Sequence, residues 1–229
     1  MHASSLEKAP LPSSAPYAVE GPARILDSVA VALAREGARV GLLDADVYGP
    51  NIPTMMGVTE SPRIEKVTNE KGQEEEFFIP PSARLGSVDI KVMSMGFLVE
   101  EQAAMIWRGP MVQSALLQMI RDVNWSGVDI LVMDLPPGTG DIQLSLVQKI
   151  PLTGAIVVTT PQQVATLDAQ KAIDMFAKTN IDMLGIIENM ASHHCIHCGH
   201  QNPIFGTGGA QALARSEEHT SELQSRLQI

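Results

Sequence analysis

The chain has 229 residues, 45% of them apolar and 18% charged, with a formal net charge of −10 and a pI of about 5.0. That length suffices for one α/β domain with a buried core. The acidity argues against a general binder of nucleic acid or anionic membrane, because phosphate surfaces attract basic patches, and no apolar run approaches the roughly 18 residues of a membrane span.

Residues 1–20 are rich in Ser, Ala and Pro and read as a flexible leader. They lack the apolar core of a secretory signal, and no Arg precedes Arg24, which disfavours a mitochondrial presequence. Residues 22–36 read as a helix, with Leu26, Val29, Ala30 and Leu33 at helical spacing and Gly37 as its stop. ARVGLLDAD is a short apolar run of the kind that forms a buried parallel strand, and VYGPNIPTMMG is a loop. Residues 59–76 are polar and acidic and predict an exposed excursion. FFIPP and VDIKVMSMG read as strands or strand edges.

PMVQSALLQMIRDV predicts an amphipathic helix with Met111, Ala115, Leu116 and Met119 on one face and Pro110 in its first turn. VDILVMDLPPGTGD is a buried strand and a turn, IQLSLVQKI a helix, and GAIVVTTP the next strand. QQVATLDAQKAIDMFAKT is a long helix and MLGIIENM another buried strand. Strands alternate with helices, so the predicted fold is α/β, a mostly parallel doubly wound sheet with helices on both faces. Ligands of such sheets bind beyond the carboxyl ends of the strands, where Asp44, Asp46, Asp134, Thr160 and Asn189 are expected. The final stretch, RSEEHTSELQSRLQI at 215–229, shifts abruptly in composition and matches the translation of a common sequencing-library adapter. It is expected to be an artefact, which leaves residues 21–214 as the functional domain.

Three motifs carry chemistry. In LLDADVYGP, two carboxylates just past a buried strand suit a Mg²⁺-bound water and a nucleotide's terminal phosphate. In ILVMDLPPGTGD, an apolar strand running into Asp134 has the Walker-B pattern. Taken singly, each aspartate reads better as an acid capping a turn; together, at strand ends of one α/β domain, they favour a nucleotide site. The third, ENMASHHCIHCGH, holds the chain's two cysteines, Cys195 and Cys198, spaced for metal or redox chemistry. Two thiolates do not fill a four-ligand site. Either imidazoles from His193, His194, His197 or His200 complete it, or a second subunit brings another C-x-x-C.

These motifs, in this order and joined to WRGPM and GIIENMASHHCIHCGHQNPIFGTGGA, resemble the Mrp/ApbC family. Its members are iron–sulfur cluster carriers within the MinD/ParA-like P-loop ATPases, and the likeness runs from about Ala30 to Ala214. The resemblance implies a homodimer holding a labile [4Fe–4S] cluster on Cys195 and Cys198 of both subunits, for delivery to apo iron–sulfur proteins. It also implies an ATP site with Mg²⁺ at the same interface. Asp46 would orient the attacking water with Asp44 close by, Asp134 would hold Mg²⁺ through water, and Asn189 would contact adenine. The implied compartment is the cytoplasm, or the mitochondrial matrix in a eukaryote.

The sequence departs from that family at a specific place. The family sets K-G-G-V-G-K-[ST] directly before the first helix. Here PYAVEGPAR occupies that position, and the only lysine upstream of the helix is Lys8. PPGTGD and FGTGGAQALA lack the lysine and do not substitute, so ATP binding and hydrolysis are expected to be weak or absent, and both ends are expected to be truncated. Two other readings stay open: a zinc-binding interaction module using nearby histidines, and a MinD/ParA-like positioning ATPase.

Overall fold

Apolar side chains at alternate positions of the central strands sort into two separate cores. Leu43, Leu131, Met133 and Met93 point to one, while Val40, Leu42, Val132, Ile90 and Val92 point to the other. Period-two burial on both sides is what a sheet covered on both faces requires. The computed structural model describes residues 17–20, 23–47, 49–68, 74–98, 109–138 and 140–216.

The chain runs β1 (Tyr17–Glu20), α1 (Ala23–Arg35), β2 (Val40–Asp44), α2 (Ile52–Met55), β3 (Arg63–Thr68), β4 (Glu74–Ile79), β5 (Ser82–Leu85), β6 (Val88–Ser94) and α3 (Gly109–Arg121). It continues through β7 (Ile130–Asp134), α4 (Asp141–Lys149), β8 (Gly154–Thr159), α5 (Gln163–Lys178), β9 (Met183–Glu188), β10 (His193–His194), β11 (Gln201–Asn202) and α6 (Gly209–Ser216). Seven strands form one sheet in the order β5-β6-β2-β7-β1-β8-β9. Only the β5–β6 pair is antiparallel. α1 and α2 cover one face through Leu26, Ala30 and Ile52. The other face is covered by Val112 and Leu116 of α3, Leu146 of α4, and Ile173 and Phe176 of α5. The predicted α/β sheet is therefore the observed one. Among the described residues no helix is long and apolar enough to cross a membrane.

Several local expectations change or gain detail. Tyr17–Glu20, read as the end of a leader, is β1 and pairs in parallel with β7 on one side and β8 on the other. A four-residue strand with one charge gives little periodic signal, and its partners lie more than a hundred residues away in the chain. The loop after Asp46 contains the short helix α2, closed down by a fully buried Ile52. On α3 the buried side is Val112, Leu116, Met119 and Ile120, while Met111 is 55% exposed. Leu116 and Met119 are buried and Ala115 packs against the core as predicted, so Met111 alone leaves the predicted face and Val112 and Ile120 join it. The acidic excursion is exposed as expected, and it is folded as the antiparallel hairpin β3–β4. α6 runs to Ser216, across the boundary expected at residue 215; residues 217–229 and 1–16 lie outside the described residues.

Candidate functional site

The carboxyl ends of β6, β2 and β7 lie side by side, and each ends in a buried polar residue: Ser94, Asp44 and Asp134 are in register across the three strands. Asp44 is fully buried. Its Oδ2 accepts from the Ser94 hydroxyl at 2.9 Å and from the Ile52 N–H at 3.2 Å, and its Oδ1 accepts from the Asp46 N–H at 3.2 Å. These bonds favour the charged form, yet burial outweighs them and pushes Asp44 up to about 6.

Asp134 is 5% exposed, and burial together with the charges of Asp44, Asp46 and Asp27 pushes it up to about 8. Asp27 on α1 faces the same space. It is raised to about 6 by burial and by Asp44, and its Oδ1 is buried without a hydrogen-bond partner. Asp46 is half-buried beside them. The structure thus brings Asp44, Asp46 and Asp134 together and adds two residues the sequence reading missed, Ser94 and Asp27. Ser94 was detectable as the polar residue ending an apolar strand. Asp27 was detectable as a lone carboxylate early in an otherwise apolar helix.

Thr160 and Asn189 follow the ends of β8 and β9 on the same edge of the sheet. The Asn189 N–H donates to the Thr159 carbonyl at 2.7 Å, and its side-chain oxygen accepts from the Met190 N–H at 2.9 Å. Met190 has φ +56, the left-handed region that a non-glycine residue enters at a cost of about 1 kcal/mol. The Thr160 hydroxyl lies 3.1 Å from the Gln162 side-chain oxygen.

The cysteines sit apart from the aspartates, on an exposed segment rooted beside Asn189. β10 and β11 pair antiparallel, His193 opposite Asn202 and His194 opposite Gln201, and the C-x-x-C forms the tip. The Cys195 N–H donates to the His200 carbonyl at 2.9 Å, and the Gly199 N–H donates back to the Cys195 carbonyl at 2.8 Å. Backbone N–H groups of Cys198 and His197, and the Cys198 thiol, point at the Cys195 sulfur and lower its pKa. The tip is therefore pre-shaped to stabilise a thiolate, the form that binds metal. Both cysteines are free. Among the described residues no group of three or more His, Cys, Asp or Glu side chains is arranged to hold a metal ion. The four histidines expected as alternative ligands stand on the hairpin without converging on the cysteines.

A family model described as ParA, the NUBPL iron-transfer P-loop NTPase, matches residues 21–228. An iron–sulfur cluster carrier protein of Pseudomonas fragi is 50% identical over 187 residues, which is 82% of this chain and 62% of the relative. The iron–sulfur cluster transfer protein NUBPL of Mus musculus is 45% identical over 191 residues, 82% of this chain and 56% of that protein. The chain thus spans between half and two thirds of the length of these relatives. Among solved structures, a nucleotide-binding protein of Archaeoglobus fulgidus in complex with ADP is 32% identical with a TM-score of 0.70, covering 89% of this chain and 77% of that one.

Proposed function

The chain belongs to the NUBPL iron-transfer P-loop NTPase family of ParA type, and from that premise we propose that it carries an iron–sulfur cluster on Cys195 and Cys198 and passes it to apo-proteins. The observation that carries the reading is the hairpin tip. It holds two exposed-side thiols with backbone N–H groups aimed at one sulfur, a preformed half-site for a soft metal cargo. One chain offers two of the four thiolates of a [4Fe–4S] cluster, and no third metal-binding side chain joins them among the described residues. The reading therefore requires a second copy facing the first across a two-fold axis. A cluster bridging two exposed hairpins leaves when the copies part, which suits a carrier. By the same family membership the working compartment is the cytoplasm, or the mitochondrial matrix in a eukaryote.

The other half of the family's chemistry fits this chain poorly. The resemblance gives Asp44 and Asp46 to orienting water, Asp134 to Mg²⁺ and Asn189 to adenine, and these residues lie at or just past the ends of β2, β7 and β9. Asp44, Asp46, Asp134 and Asp27 crowd four carboxyl groups together at the strand ends, and the Asp27 Oδ1 is buried there without a hydrogen-bond partner. A triphosphate needs cationic and N–H donors there. We derive no hydrolytic step from this site.

The test is anaerobic reconstitution with ferrous iron and sulfide. The full chain is expected to turn brown and to retain acid-labile sulfide in proportion to iron. Cys195→Ala and Cys198→Ala are expected to lose at least about ten-fold of the bound cluster, since each removes a thiolate ligand from both copies. Equal iron and sulfide in the wild type and both variants would sink the reading.

A further inference from the structure

Residues 189–207 leave the sheet at the end of β9 and return to it at the start of α6. Nearly every side chain from Met190 to Thr207 is exposed, with Ala191 and Cys195 only half-buried. The hydrogen bonds within this segment are its own: β10 with β11, Cys195 with His200, Gly199 with Cys195, and the Gln201 side-chain amide donating to Ser192 Oγ at 2.9 Å. The segment has no apolar core to hold it against the domain. What fixes the cysteines in space is the root.

At the root, the departing end is tied by the Asn189 N–H to Thr159 and passes through the left-handed Met190. The returning end is tied by one side chain. The Glu188 carboxylate accepts from the Gly208 N–H at 3.2 Å and from the Ala210 N–H at 2.6 Å, bridging the last residue of β9 to the first turn of α6. Carboxylate bonds to N–H groups at a helix N-terminus are charge-assisted and favoured by the helix dipole. Gly209, between those two donors, lies so close to the β8–α5 connection and the start of α5 that a Cβ would meet Thr166 Cγ2 at 2.9 Å and the Pro161 carbonyl oxygen at 3.0 Å. The start of α6 is thereby wedged between Glu188 and Pro161.

We propose that Glu188 is a positioning residue for cluster handling. By clasping Gly208 and Ala210 it closes the base of the cysteine-bearing segment and sets how Cys195 and Cys198 are presented to a second copy. This rests on the carrier reading of the cysteines, but the clasp itself is a matter of geometry and is measurable without iron.

The experiment compares wild type, Glu188→Ala and Glu188→Gln in the full chain. Hydrogen exchange is read at Gly208, Ala210, Cys195 and Gly199, and iodoacetamide alkylation is timed at the two cysteines. Chelator-driven loss of a reconstituted cluster is the third readout. Glu188→Ala is expected to speed exchange at all four amides and to shed the cluster about ten-fold faster, the worth of one charge-assisted bond. Its starting iron content should match the wild type, because both thiols remain. Glu188→Gln, which keeps an acceptor, is expected to restore part of each effect. Unchanged exchange at Cys195 and Gly199, with alkylation and shedding at wild-type rates, overturns the clasp and reduces Glu188 to a helix cap. If the wild type takes up no iron and sulfide while Glu188→Ala still loosens the hairpin, the carrier reading fails and the clasp stands.

Discussion

At the scale of single residues, the aspartates at the sheet edge make the fold itself sensitive to pH. Asp134 at about 8, with Asp44 and Asp27 at about 6, all lie above the ordinary carboxylate value. Between about pH 4 and 8 the folded chain therefore holds protons that the unfolded chain has released. By linkage, stability is then highest at the acid side of that window and falls as pH rises through it. Asp129 works the other way. Arg39 holds it down at about 2, so its contribution is lost only below about pH 4, outside the window. Asp134→Asn, which removes the most strongly raised charge but keeps the shape, is expected to stabilise the chain by about 2 kcal/mol at pH 8. That corresponds to a rise of about 5 °C in Tm for a domain of this size. At about pH 3.5, where the unfolded chain largely keeps this proton too, the two proteins should melt almost together. Thermal melts at both pH values decide it: an Asp134→Asn chain that is less stable at pH 8 would mean that the carboxylate is charged and compensated in solution.

At the scale of elements, the connection from β1 to α1 decides what the site can hold. β1 ends at Glu20 and α1 begins at Ala23, leaving Gly21 and Pro22 between them. A phosphate cradle is built from several consecutive backbone N–H groups and a lysine. Two residues supply little of this, and Pro supplies no N–H at all. Titration calorimetry of the full chain with Mg-ATP is accordingly expected to show no binding in the micromolar range, and a micromolar Kd would refute the argument. The missing loop was legible in the sequence, because loss of a glycine–lysine motif needs no tertiary information to see. So were β2, β7, β8 and β9, whose apolar runs end in Asp44, Asp134, Thr159 and Glu188. β1 was not, because four residues held by long-range pairing to β7 and β8 carry almost no local pattern. The edge strand β5 escaped for the same reason, being defined by its antiparallel register with β6. The clasp made by Glu188 was invisible for a different cause, because its Gly208 and Ala210 partners belong to the approach to α6 and its first turn.

At the scale of the whole molecule, the cysteine-bearing segment differs from the rest of the chain in charge. The formal net charge is −10, yet residues 189–214 contain no Asp, Glu, Lys or Arg. That uncharged stretch carries Ile196 at 91% exposure between the two cysteines, with Met190, Ile204 and Phe205 also exposed. Large apolar side chains grouped on an exposed segment mark a surface that another protein covers. Two copies of an acidic chain repel at long range, and the segment that would bring the cysteines together does not contribute to the repulsion. Pairing through it is therefore expected to be driven by apolar burial and shared thiolate ligation, with charge opposing it. Salt screens the opposition and leaves the drive intact. The iron-loaded chain should thus run as a dimer by light scattering, and the dimer should persist or tighten between about 0.05 and 0.5 M NaCl, where the Debye length shrinks several-fold. Ile196→Glu places a like charge on both sides of the two-fold axis while leaving both cysteines in place. It is expected to weaken dimerisation at least about ten-fold, through lost apolar burial and the cost of desolvating two carboxylates. A dimer that falls apart as salt rises, or one indifferent to Ile196→Glu, would place the contact elsewhere on the molecule and leave the hairpins too far apart to share a cluster.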